Sequence, residues 1–481
     1  MKKTFLTNLI LVLGLNLTIK PFWIFAIDRK VNNMVGTADY GTYASLLSFS
    51  SVFFVLLDMG LTNFNNRHIS QNSHLLSKHF SRMLVLKFTL AIFYLVTCTI
   101  IGLVIGYDFR LMKLLLTVCF IQFLISLIAF LRSNVSGLHL FKTDSFLSVF
   151  DRLIGIAICV PLIWGNILNR QLDIMDYVYA QMAAYGLTAI IAFTIVFLKA
   201  GLIKFQWNRT FSIMILKQSF PFAVLTMLMA FYNRIDLTML LRILKDNGLE
   251  AGIYAQAFRL LDAVNMIAVL AAGLLLPMFS RMLKHNDSVE ALVKASFTLL
   301  FMLAIVIGCG CFFYGSDMMG MMNYANAEAT TIVFRVLMWC FMFSVCQYIF
   351  GTLLTANIQL KKLNIIAGSA MALNIILNFI LIPRLHALGS AFASLTTQLF
   401  VAIAQIIVVQ RMFRFQMLPK LLLALLVFGV GEIAICYAAS HLLHIDWKMS
   451  FLAMLGVSLV WGFATGLLNL KSMLSVIKVN S

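Results

Sequence analysis

Charge is what this sequence has least of. Asp, Glu, Lys and Arg make up 11% of its 481 residues, well under the roughly 25% usual in soluble domains, so a water-facing surface cannot cover the whole chain. Proline is also scarce, at 6 residues, and none cluster with serine into a linker, which argues against domains strung on flexible tethers. No polar stretch is long enough to fold as a separate domain outside a membrane. Walker motifs, a nucleophile elbow and paired carboxylates on a water-facing helix are all missing, which argues against ATP hydrolysis and acyl transfer.

Apolar residues fill the space. They account for 62% of the chain, and the mean hydropathy is +0.96. A bilayer core of about 30 Å calls for helices of about 20 apolar residues, because lipid offers backbone groups no partners. The sequence predicts spans near 8–27, 41–61, 83–106, 111–131, 145–165, 177–199, 214–241, 252–276, 295–315, 331–355, 364–382, 387–410, 418–440 and 448–470. The fold class is therefore an all-α integral membrane protein with about fourteen transmembrane helices. The start Met1-Lys2-Lys3 has the basic character of a signal peptide, but the run behind it is long and lacks a small-residue cleavage site, so it reads as a retained span. All 8 cysteines fall inside spans, where they serve as small apolar residues rather than an exposed disulfide framework.

The net charge of +18 points to topology rather than to nucleic acid, because the basic residues are spread over short loops and form no single stripe. Loops on one side carry more than twice the Lys and Arg of the other, and the acids lean the opposite way. The positive-inside rule then places both termini in the cytoplasm. A weak internal repeat divides the chain: Gly41-Thr42-Tyr43-Ala44 opens the second span and Gly252-Ile253-Tyr254-Ala255 the eighth, 211 residues later. A parallel repeat of six plus six helices follows, with boundaries at 1–210 and 211–415, and two further helices and a tail at 416–481. In transporters such a repeat places the binding site between the halves.

Ionisable residues inside spans are the functional candidates, since each costs about 2.5–3.5 kcal/mol at mid-bilayer. The cations are Lys20, Lys87, Arg152, Arg234, Arg259 and Arg335; the anions are Asp58, Asp151, Asp236, Asp262 and Glu432. Lys87 and Arg335 lie near span ends and are expected to snorkel to the interface. Lys20, Arg234 and Arg259 fall at one depth, about 10 Å from the outer surface at 1.5 Å per residue. A shared cationic chamber is one reading; an interhelical ion-pair network fastening the halves is the other. Arg259 and Asp262 share a helix face and are expected to pair, whereas Arg234 and Asp236 diverge. Guanidinium groups suit phosphate oxygens, so Lys20, Arg152, Arg234 and Arg259 are the candidate substrate-binding residues. Asp58, Asp236 and Asp262 are candidates for ion coupling or charge balance.

Other features carry less. Pro21 and Pro221 remove backbone donors and are expected to kink the first helix of each half. His68, His74 and His79 match no zinc spacing, and neither a metal nor a cofactor is expected. The run Asp317-Met318-Met319-Gly320-Met321-Met322 reads as a loosely packed loop or helix end. Asn374 and Asn378 at i,i+4 spacing read as helix fasteners.

In order and spacing, several segments resemble the polysaccharide flippases of the multidrug/oligosaccharidyl-lipid/polysaccharide exporter superfamily. They are Asp39-Tyr40-Gly41-Thr42-Tyr43, Asp58-Met59-Gly60-Leu61, Phe220-Pro221, Arg234-Ile235-Asp236, Glu250-Ala251-Gly252-Ile253-Tyr254, Pro277, Asn374, Asn378, Ile382-Pro383 and Leu388-Gly389-Ser390-Ala391. The last departs from the Gly-Ala-Ala of many members. The resemblance covers nearly the whole chain and implies two six-helix bundles about a central V-shaped cavity, working by ion-driven alternating access. It also implies an undecaprenyl-pyrophosphate-linked oligosaccharide as cargo, a proton or sodium ion as the coupling cation, membrane lipids and other glycan-assembly proteins as partners, and a bacterial inner-membrane location in lipopolysaccharide, or O-antigen, synthesis. A multidrug cation antiporter on the same fold, a polysaccharide polymerase and a non-transporting scaffold are the alternatives; none of the four readings makes nucleic acid a partner.

Overall fold

The structure is a computed structural model that describes residues 18–19, 22–62, 65–66, 69, 76–138, 140–165, 170–200, 209–244, 246–416, 418–442 and 445–468. Lys20, Pro21, His68 and His74 lie outside the described residues, as does the side chain of His79. Among the described residues every regular element is helical. A π-helical turn, Trp23–Asp28, runs into α1 (Arg29–Val35). There follow α2 (Thr37–Val52), α3 (Leu76–Ile105), α4 (Phe109–Gly137), α5 (Phe141–Trp164), α6 (Ile174–Ala200) and α7 (Arg209–Ile243). Then come α8 (Leu249–Lys284), α9 (Glu290–Phe313), α10 (Gly315–Met322), α11 (Ala327–Ala356), α12 (Leu360–Phe413), α13 (Leu418–Leu442) and α14 (Trp447–Ala464). Eleven of these are long and apolar enough to cross a membrane, so the chain is a multi-pass membrane protein.

Internal contacts divide the chain into two units, Met1–Leu241 with Asn247–Gly252, and Arg242–Asp246 with Ile253–Ser481. In the first, Gly106 takes the left-handed φ of 82° that ends α3, and Asp108 caps α4 by accepting from the Leu111 backbone N at 2.8 Å, which closes the hairpin in a few residues. Phe80 stacks on Phe130 with ring centroids 5.9 Å apart, amid Leu61, Ile69, Met83 and Leu131. The Gly41 and Gly252 sites of the sequence repeat lie in direct backbone contact: a Cβ on Gly41 would strike Gly248 O, and one on Gly252 would strike Thr37 O. Small residues allow such close approach where lipid supplies no hydrophobic drive for helix association.

The second unit contains a sharp reversal. The long α12 spans two predicted helices, and His386, with φ 55° and ψ −133°, marks the break between them. Pro383 precedes it, removing a backbone donor near the end of the first arm. Asn378 Nδ2 donates to Asn374 O at 3.0 Å, and Ser390 Oγ of the second arm donates to Asn378 Oδ1 at 2.7 Å. The asparagines thus fasten the two arms. At the C-terminal end, α13 and α14 pack on each other and on α9.

Three expectations change. The predicted span 41–61 is broken: α2 stops at Val52, and after a 3-10 turn (Phe54–Leu57) Met59 and Gly60 take φ of 43° and 80°. A left-handed methionine is unfavourable by about 1–2 kcal/mol, so the surroundings must hold it. The methionine run is also no loose loop, because it forms α10 with Met319 and Met322 buried. Lys87 does not snorkel. Its side chain is 0% exposed and pairs with Asp58.

Candidate functional site: buried polar clusters

The π-helical turn places Asp28 among aromatic residues of the first unit. Asp28 is buried, and its carboxylate accepts from Tyr40 Oη and Tyr177 Oη, each at 2.8 Å. Beside them Gln181 Nε2 donates to Tyr43 Oη at 3.0 Å. The Tyr43 and Tyr177 rings meet edge to face at 5.8 Å, and Trp23 stacks on Tyr177 at 6.3 Å. Arg152 on α5 lies against the same wall, its guanidinium 5.0 Å from the Trp23 centroid and 5.7 Å from that of Tyr185. Its Nε is 3.6 Å from Asp151 Oδ2. Aromatic faces hold a guanidinium through their quadrupoles.

A second cluster sits at the break after α2. Lys87 Nζ donates to Asp58 Oδ1 and to Ser126 Oγ, both at 2.7 Å. Asp58 also accepts from the Thr62 backbone N at 3.3 Å and from Thr62 Oγ1. It therefore caps the turn that restarts the chain beyond Gly60 while neutralising a fully enclosed ammonium. On α7, Asp236 is buried and Arg234 half-buried. Pro221 lies inside α7, with helix on both sides.

In the second unit, Arg259 and Asp262 are both half-buried on α8. One and two turns before them, Gln256 accepts from Thr330 Oγ1 at 2.8 Å, and Tyr254 Oη lies 3.1 Å from Ser394 Oγ. Gln347 Nε2 contacts Gln398 Oε1 between α11 and α12. Arg335 lies over the Phe312 ring at 5.6 Å and donates to Ser316 Oγ at 3.1 Å.

Residues 30–283 match the family described as polysaccharide biosynthesis protein, a little over half of the chain. The chain belongs to this family. Its fold is similar to those of several solved membrane proteins. The lipid II flippase MurJ in an inward closed conformation superposes with a TM-score of 0.65 at 12% identity, over 89% of this chain and 96% of that one. An inward-facing MATE multidrug resistance transporter gives 0.64 at 13% identity, over 85% and 99%. A MOP superfamily transporter from Pyrococcus furiosus gives 0.59 at 11% identity, over 84% and 95%. No curated protein sequence matches significantly. The solved structures of similar fold are those of a flippase and of membrane transporters.

Of the residues singled out in this polysaccharide biosynthesis protein, Arg152 has aromatic walls, and Asp58 has Lys87 as a fixed counter-ion. Lys20 lies outside the described residues. Sequence reasoning missed Asp28, which falls one residue beyond the predicted first span and reads there as a loop acid. The available signal was the absence of Gly or Pro from Phe22 to Val35, which lets the helix continue past it. It also missed the burial of Lys87, because depth in a span says nothing about which face a residue occupies.

Proposed function

We propose that this protein is a flippase that carries an undecaprenyl-pyrophosphate-linked oligosaccharide across the bacterial inner membrane for surface polysaccharide or lipopolysaccharide synthesis. The observation that carries this reading is the family match over residues 30–283 on a MOP-type fold. One protein of similar fold is a lipid II flippase. The diphosphate is the part of such a cargo that cannot cross hydrocarbon unaided, since charge in the bilayer core is unfavourable. Arg152, Arg234 and Arg259, with Lys20, are the cations assigned to it. Arg152 supports that assignment, because the Trp23 and Tyr185 ring faces fix the position of its guanidinium on α5.

Alternating access between halves bounded at 1–210 and 211–415 supplies the motion. Membrane potential supplies about 2.3 kcal/mol per charge per 100 mV to a proton or sodium ion, with Asp236 and Asp262 as coupling acids. Asp58 takes the charge-balancing role, because Lys87 already occupies it. Both termini face the cytoplasm, and glycan-assembly proteins hand the cargo over. The test is surface glycan in cells whose own gene carries Arg234→Ala and Arg259→Ala. Surface glycan is lost while the protein's membrane level stays normal; unchanged glycan overturns the assignment.

A further inference from the structure

The terminal helix pair holds an acid that the cargo reading leaves unused. Glu432 on α13 is 0% exposed. Its Oε1 lies 2.6 Å from Ser458 Oγ of α14, within hydrogen-bond reach, and accepts from Cys436 Sγ, one turn along its own helix, at 3.8 Å. Its Oε2 is buried with no hydrogen-bond partner. Ser458 Oγ also bonds back to Met454 O at 2.7 Å and lies 3.5 Å from Met454 Sδ, and Cys309 of α9 faces Cys436. The surroundings therefore comprise two thiols, a thioether and a hydroxyl, and among the described residues no Lys, Arg or His pairs with Glu432. Trp461, whose ring abuts Gly431, spends its Nε1 on Phe428 O at 3.2 Å, so it supplies no donor to the carboxyl.

A buried carboxylate is tolerated when a cation or several donors meet its oxygens. Here both neighbours meet one oxygen, the other has none, and the single Ser458 hydrogen cannot serve both Glu432 and Met454 O. We propose that Glu432 is a proton-binding site of the terminal helix pair, with Oε1 as the oxygen that carries the proton and donates it to Ser458 Oγ, whose own hydrogen goes to Met454 O, and with Oε2 as the carbonyl oxygen. Water reaches the carboxyl only when α13 and α14 part, so proton occupancy is tied to the packing of this pair on α9. The site does not depend on what cargo the protein carries.

Infrared difference spectra of the full-length protein in lipid nanodiscs at neutral pH, wild type minus Glu432→Gln, test this directly. The expected result is the loss of one carbonyl stretch of a protonated carboxylic acid with carboxylate bands unchanged. Loss of carboxylate bands instead overturns the proposal. Ser458→Ala gives a second reading that keeps the acid in place: the acid carbonyl band moves to higher frequency as the acceptor of its proton disappears, and an unmoved band contradicts the assignment of Oε1. On transfer to deuterated buffer the acid band exchanges slowly in the packed protein. Exchange as fast as that of a surface carboxyl breaks the link to helix packing.

Discussion

Asp58 and Glu432 are acids enclosed by apolar helices at opposite ends of the chain, and their settings differ in kind. Asp58 has a dedicated cation: the Lys87 ammonium sits 2.7 Å away, with Ser126 as its second acceptor. Glu432 has a hydroxyl and a thiol, both on one oxygen. An ion pair keeps its neutrality only while both members are present, whereas a lone acid keeps it by holding a proton. Removing one side of the pair therefore strands a charge, while neutralising the lone acid strands nothing. Asp28 stands between the two extremes, with two tyrosine hydroxyls on its carboxylate.

The difference can be broken by mutation. The largest effect belongs to Lys87→Ala, which leaves Asp58 without its cation and is expected to destabilise by about 3–5 kcal/mol. Thermal unfolding in detergent measures it, and the double variant Lys87→Met with Asp58→Asn should recover most of the loss. A double variant no more stable than the single one would mean that charge pairing is not what matters there. Next comes Tyr177→Phe, which deletes one of the two donors to Asp28 and is expected to lower stability by about 1.5–3 kcal/mol; combined with Tyr40→Phe in a double-mutant cycle, it reports whether the donors act jointly. Glu432→Gln keeps volume and a donor to Ser458 Oγ, so its expected change is under about 1 kcal/mol. A loss as large as that of Lys87→Ala would erase the contrast. Smallest is Ser390→Ala, which removes the hydrogen bond between the arms of α12; membrane side-chain bonds average about 0.6 kcal/mol.

Much of the fold was legible because lipid imposes its own grammar: length, hydropathy and loop charge suffice to find helices. The break after α2 was not, since the apolar residues flanking Asp58-Met59-Gly60 read as a continued helix, and the pairing of Asp58 with Lys87 is a long-range contact. His386 was legible as a short turn because Pro383 and Gly389 flank it. At the site, composition identified the unusual charges but not their neighbours. Lys87 was assigned to an interface from its distance to a span end, yet burial depends on the helix face, which periodicity barely marks in helices that are apolar all round. Asp28 escaped because a span boundary was drawn one residue too early. Glu432 was visible as an intramembrane acid, but nothing in sequence announced that Ser458 would be its hydrogen-bond partner.

The most direct test of the transport account is a flipping assay with the purified protein in liposomes carrying a defined polyprenyl-pyrophosphate-linked glycan. Wild-type protein should move the glycan between leaflets, and Arg234→Ala with Arg259→Ala should reduce that movement toward the protein-free rate. Wild-type vesicles that flip no faster than empty ones, under an imposed proton or sodium gradient, would contradict it.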